Sequence, residues 1–158
     1  MRPMLVMLTS ILFSTTVIAG NSQIEKTQVV GFFQHLLEKF NNENVVEYEK
    51  LFLVPHARHL SDKVSLITDE SVPLVDFAKL KEAGWDQSVM RSVDLLFSSS
   101  SKAFVNVHWT RLNAEKEVVQ NFTAFYTLVK IQEKLKIAYI AATSTPLSIG
   151  VTEKQREH

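Results

Sequence analysis

From Glu25 onward, the apolar residues Val29, Val30, Phe33, Leu36, Leu37 and Phe40 recur at intervals of three and four, with Glu38 and Lys39 turned the other way. That spacing is the 3.6-residue period of a helix with one buried stripe. Ser22 and Glu25 have the spacing of a capping box ahead of it. Asn41 and Asn42 interrupt the pattern, and Asn44 with Glu47 starts a second, short helix running to about Leu51, with Val45, Tyr48, Leu51 and Phe52 inward. Pro55 is expected to end that run. "HARHLS" and "KVSLIT" then read as two short strands. Ser71 and Pro73 open a third helix carrying Leu74, Phe77 and Leu80, and Gly84 is placed as its stop.

Beyond Gly84 the period changes to two. Four extended segments, about 86–97, 103–112, 118–131 and 135–143, are separated by "SSSS", "NAEKE" and "QEK". Connections this short join antiparallel neighbours. Helices first and a four-stranded meander last define an α+β domain. Pairing Leu112 with Val118 sets Thr110 opposite Gln120, His108 opposite Phe122 and Asn106 opposite Ala124. On that register Asn106, His108, Thr110, Phe122 and Tyr126 share one mixed, roomy surface. Val105, Val107, Trp109, Phe125 and Tyr139 share a bulky apolar one. The helices can cover only one face, so the mixed surface is expected beneath them. The bulky surface is expected to be closed by a second copy of the chain in a homodimer.

Composition changes this picture in three places. The 158 residues fit one domain with one core, and 17 basic against 17 acidic side chains leave no overall field to attract nucleic acid. No cysteine is present, which excludes disulfides, thiolate metal sites and a cysteine nucleophile. The uncharged stretch Met4–Gly20, preceded by Arg2, reads as a secretory signal peptide over residues 1–19 with cleavage after Ala19; a retained anchor is the alternative, made less apt by Thr9, Ser10, Ser14, Thr15 and Thr16. The expected organisation is therefore a removed signal, a domain over 20–150, and a polar tail over 151–158. A periplasmic or secreted address and no stable membrane anchor follow from it.

The element order, together with "FFQHLLEKFNNENVVEYEKLF" and "AFVNVHWTRLNAEKEVVQNFTAFYTLVK", resembles the nuclear transport factor 2-like superfamily over about Thr27 to Thr145. Ketosteroid isomerases, SnoaL-like polyketide cyclases and scytalone dehydratase belong to that superfamily. The resemblance implies a cystatin-like α+β cone: a strongly curved, mainly antiparallel sheet wrapped around the first helix, a cavity for small apolar molecules, and a dimer through the outer sheet face. It does not carry the isomerase reaction with it. Leu36, Leu60 and Ala124 stand near the positions where isomerases keep a tyrosine, an aspartate base and a second acid, so proton abstraction by that route has no base.

Residues that could still contact a ligand are Asn106, His108, Thr110, Phe122 and Tyr126 on the mixed face, with Arg58 and His56 at the cavity mouth. His108 is the candidate acid or base. The competing reading makes it a core histidine bonded to Thr110 or Asn106, and no carboxylate on its face is expected to tune it. His56 and His59 would point to opposite sides of a strand, which argues against a metal site. Asn121-Phe122-Thr123 fits a glycosylation sequon but lies mid-strand. No cofactor motif is present. The sequence thus points to an exported, dimeric protein that holds a small, partly apolar molecule without transforming it; a lyase or isomerase using His108 and a structural or interaction module are the alternatives.

Overall fold

A computed structural model describes residues 22–143. The expected signal peptide and C-terminal tail lie outside them. The elements run α1 (Lys26–Asn41), α2 (Val45–Glu49), β1 (Phe52–Leu60), β2 (Lys63–Ile67), α3 (Phe77–Glu82), β3 (Gln87–Ser98), β4 (Lys102–Leu112), β5 (Val118–Ile131) and β6 (Lys134–Ala142).

Helix α1 forms where its period places it, but its capping box is one turn later than Ser22 suggests. The Glu25 side chain accepts from the Gln28 backbone N–H, while Gln28 Oε1 accepts from Glu25 N. Its stripe of Val29, Phe33, Leu36 and Phe40 is buried. Asn44 caps α2 by accepting from Glu47 N. Helix α3 begins at Phe77 and not at Ser71, because the Asp76 side chain takes the Lys79 N–H and forms the cap. Gly84 follows it at φ +84°, a conformation open to glycine.

The strands form one mixed sheet in the order β2-β1-β6-β5-β4-β3. Strands β3 to β6 are the antiparallel meander, whereas β1 lies parallel to β6 and connects the N-terminal hairpin to it. The sheet is open: its edges, β2 and β3, do not pair with each other. The expectation of a strongly curved cone is therefore corrected to an open, six-stranded mixed sheet carrying three helices. Pro55 does not end an element. It lies within β1, in the stretch between Phe52 and Ala57 where the ladder to β6 is irregular, so its missing N–H breaks no regular pairing.

The two sheet faces are the reverse of those expected. Helix α1 lies on the bulky face, where the Phe33 ring meets Tyr126 at 4.8 Å and Trp109 at 6.3 Å between centroids. Val105, Val107 and Trp109 are buried there and cannot meet a second subunit, while Phe125 and Tyr139 point to the opposite side. Part of the error comes from a bulge. After Leu112 pairs with Val118, Arg111 pairs with Gln120, so Val119 is an extra residue on β5. Every pairing beyond it shifts by one: Thr110 meets Asn121, His108 meets Thr123 and Trp109 meets Phe122. A one-residue slip moves a strand's side chains to the other face. Asn41 at the end of α1 clamps β3 by donating to Ser88 O and accepting from Ser88 N, both at 2.9 Å, which fixes the helix over the sheet.

Candidate functional site

Beneath α1 the core is not wholly apolar. Tyr48, Tyr126, Ser88 and Arg111 converge with Leu36, Leu37, Phe40, Trp109, Phe122 and Ile140 around a cavity of about 40 Å³. That is room for one or two water molecules. Phe122 and Leu37 are half-buried walls, so the space can widen by side-chain rotation.

Two guanidinium groups lie in this region. Arg58 is 2% exposed, and its Cζ stands 5.3 Å from the Phe52 ring centroid. Arg58 Nε donates to His56 Nε2 and its Nη1 to Leu74 O, each at 3.0 Å. Among the described residues none of the ion pairs involves Arg58. Burial lowers its pKa, opposed in part by Tyr48, Tyr126 and Glu49. Arg111, equally buried, lies against the Phe122 and Phe40 rings at 5.2 and 6.0 Å, and burial brings its pKa down to about 10. Tyr48 and Tyr126 have raised pKa values for the same reason, so both are neutral hydroxyls at pH 7. Tyr126 accepts from Trp109 Nε1 at 3.2 Å.

His56 has both ring nitrogens engaged. Nδ1 donates to Leu53 O at 2.6 Å, which leaves Nε2 as the acceptor from Arg58. Burial and the neighbouring guanidinium push its pKa down to about 4. His59, three residues on, is exposed on the other side of β1. No group of three or more side chains suited to a metal ion occurs among the described residues.

The seven residues singled out from sequence therefore separate. Phe122, Tyr126, Arg58 and His56 lie on the covered face, while Asn106, His108 and Thr110 lie on the open one. Tyr48 stands inward as its helix period indicates, whereas sequence reasoning missed Ser88 and Arg111 on the covered face; strand alternation, which puts Arg111 on the side of Trp109, holds the signal for the latter. It also missed Asp94. The expectation that no carboxylate shares a face with His108 is corrected, because Asp94 Oδ2 on β3 stands 3.3 Å from His108 Nε2. The hairpin of β3 and β4 brings them together by pairing Asp94 with Asn106 and Ser92 with His108.

A second hollow, of about 280 Å³, lies between α2, β1 and the segment before α3, lined by Glu49, Lys50, Asp69, Glu70 and Lys136 with apolar neighbours. Its charges are mixed in sign. They select no ligand class.

Three helices on one open mixed sheet, with polar groups gathered beneath the first helix, define an NTF2-like fold, and solved structures share it. A protein of unknown function with a cystatin-like fold from Nostoc punctiforme matches at TM-score 0.61 and 15% identity, over 77% of this chain and 94% of its own. The association domain of C. elegans CaMKII matches at TM-score 0.57 and 12% identity, over 75% and 95%. A putative scytalone dehydratase from Novosphingobium aromaticivorans matches at 0.55 and 12%, over 75% and 82%. At these identities the likeness is one of fold. The family is set by sequence: residues 25–145 match the NTF2-like proteins described as DUF6841, and the chain belongs to that family. No curated protein matches it.

Proposed function

We propose that this protein binds a small, partly apolar molecule carrying a carboxylate or equivalent anion beneath α1, and does not transform it there. The fold belongs to a superfamily whose members often bind small molecules. The observation that carries the proposal is Arg58, a buried cation without a carboxylate at ion-pair distance among the described residues, beside two neutral tyrosine hydroxyls. A buried charge is costly unless a counter-charge meets it, and a guanidinium fork fits a planar carboxylate. Arg58 pairs across the ladder with Ile140, which lines the small cavity. Leu36, Leu37 and Phe122 would hold the apolar part.

A binding role is favoured over catalysis at this position by the same geometry. His56 is neutral with both nitrogens committed, and Leu36, Leu60 and Ala124 offer no base. The test is a thermal-shift series of small carboxylic acids, each paired with its amide. Acids should raise the melting temperature and amides should not, and Arg58→Met should abolish the difference; about 2.7 kcal/mol of stabilisation is expected at a ligand concentration of a hundred times Kd. If no acid shifts the melting temperature relative to its amide, the proposal fails.

A second reading concerns the open sheet face. Phe97, Phe104, Phe125 and Tyr139 form a row across four strands, with successive centroids 5.4, 6.1 and 6.3 Å apart, and Phe97 is 51% exposed. This row, in place of the Val105, Val107 and Trp109 surface, supports self-association through the open face. Light scattering at micromolar concentration distinguishes a dimer from a monomer. Export is likewise proposed on the signal-peptide pattern, and the mass of the protein recovered from its native source tests cleavage after Ala19. No helix among the described residues is long and apolar enough to cross a membrane.

A further inference from the structure

On the open face, the polar residues next to the aromatic row form a second and separate constellation. His108 on β4 stands between two partners from flanking strands: Thr123 Oγ1 on β5 lies 2.8 Å from Nδ1, and Asp94 Oδ2 on β3 lies 3.3 Å from Nε2. With a carboxylate, which can only accept, facing Nε2, the tautomer protonated there leaves Nδ1 with its lone pair toward the threonine hydroxyl. This is the tautomer in which a histidine takes a proton from a hydroxyl while an acid holds the far side of the ring.

The wall of the same hollow supplies hydrogen-bond donors. A shallow opening of about 370 Å³ is lined by Arg91, His108, Thr110, Asn121, Phe122, Thr123 and other neighbours. Arg91 Nε donates to Thr110 Oγ1 at 2.9 Å, and Thr110 donates on to Asn121 Oδ1 at 2.7 Å. That chain fixes both side chains and leaves the Arg91 Nη groups and Asn121 Nδ2 as donors toward the opening. The bulge at Arg91, between the Met90 and Ser92 pairings, turns this side chain toward the site.

We propose that Thr123, His108 and Asp94 form an acyl-transfer site on the open face of the sheet, acting on small carboxylic esters. Thr123 Oγ1 attacks the ester carbonyl carbon as its proton passes to His108 Nδ1. The carbonyl electron pair moves onto oxygen, where Arg91 and Asn121 stabilise the charge. Collapse breaks the bond to the alcohol oxygen, which leaves with the proton from Nδ1, and the acyl group remains on Thr123. Water then attacks the acyl-threonine through the same base and releases the acid, so that ester and water become acid and alcohol. Thr123 and His108 are the catalytic residues; Asp94 positions the ring.

His108 lies four residues along β4 from Phe104, about 13 Å at the rise of a strand. Thr123, the proposed nucleophile, is two residues along β5 from Phe125, about 7 Å on the same face, so a partner seated on the aromatic row would cover part of the hollow. Trp109 and Phe122 border both hollows, but the site differs in class from the binding region beneath α1, since Thr123, His108 and Asp94 lie on the opposite face and none of them is argued to meet the anion.

The test uses the full chain and p-nitrophenyl acetate. Mass spectrometry of the rapidly quenched protein should find a 42 Da acetyl increment, on the order of that expected for one acyl group, on the peptide containing Thr123. Thr123→Ser should keep the label, whereas Thr123→Val and His108→Ala should lose it. Asp94→Asn should slow labelling at least about tenfold, and Asp94→Glu should recover much of it, an outcome that a purely structural aspartate would not produce. Circular dichroism of each variant confirms folding, which these half-exposed positions should tolerate. Labelling confined to surface lysines, or labelling of Thr123 that survives His108→Ala, overturns the proposal.

Discussion

The two faces of the sheet carry similar residue types and do opposite things with them. On the covered face, aromatic rings are packed edge to face beneath α1, and the polar groups among them are deprived of water: Arg58, Arg111, His56, Tyr48 and Tyr126 all have shifted pKa values with burial as the leading cause. On the open face, the rings form a partly exposed row, and His108, Asp94 and Thr123 meet at the surface of a shallow hollow. Burial shifts the ionisable groups on one side, while those on the other stand within reach of solvent. Solvent access, more than residue type, separates the two faces.

The largest test of this contrast is truncation. Phe33→Ala removes a fully buried ring from between Trp109 and Tyr126 and should cost about 3–5 kcal/mol in urea unfolding. Phe104→Ala on the open face should cost no more than about 1 kcal/mol, because that ring is partly solvated in the folded chain. Equal costs would mean that the open face is covered in solution.

Next in size is the pH dependence carried by His56. Its folded pKa, about 4, lies below the ordinary imidazole value near 6.5, so as pH falls the unfolded chain takes up the proton first. Its stability contribution is whole above pH 6.5 and is lost as pH falls from 6.5 to 4, by up to about 3 kcal/mol. Protonation of Nε2 would remove the acceptor for Arg58 and set two cations side by side. The difference between the wild-type and His56→Gln stability curves isolates this group from the carboxylates that also titrate, and a flat difference between pH 4 and 6.5 would remove His56 from the account.

The first two helices and the limits of the four meander strands are legible because each rests on local spacing. The stripe of α1, the Asn44 cap and the bounds of the four meander strands need only neighbours a few residues apart. The faces were not legible. Both carry apolar residues, so alternation alone cannot say which one the helices cover, and a single bulge at Val119 reverses the register inferred from the hairpin. The parallel pairing of β1 with β6 joins segments about eighty residues apart, beyond the reach of any local pattern. The same limits governed the candidate sites. Arg58, His56, Tyr126 and Phe122 do lie together on the covered side, whereas Asn106, His108 and Thr110 join them only on the slipped register. Asp94 is not legible beside His108 because the β3–β4 register, with its bulge at Arg91, follows from no local pattern.

The smallest expected effect tests one hydrogen bond across the covered face. Tyr126 receives the Trp109 indole N–H and touches Phe33 through its ring. Tyr126→Phe keeps the ring and its packing but leaves the buried indole N–H without its acceptor, which should cost about 1 kcal/mol and no more than about 3. The same variant removes one of the two hydroxyls proposed to face the anionic ligand. If the carboxylate binds as proposed, affinity should fall by about tenfold, the weight of one hydrogen bond to a charged group, while labelling of Thr123 on the other face stays unchanged. A variant that weakened both functions together would show that the two faces are coupled through the strand they share, because Tyr126 and Thr123 lie on β5 with side chains on opposite sides.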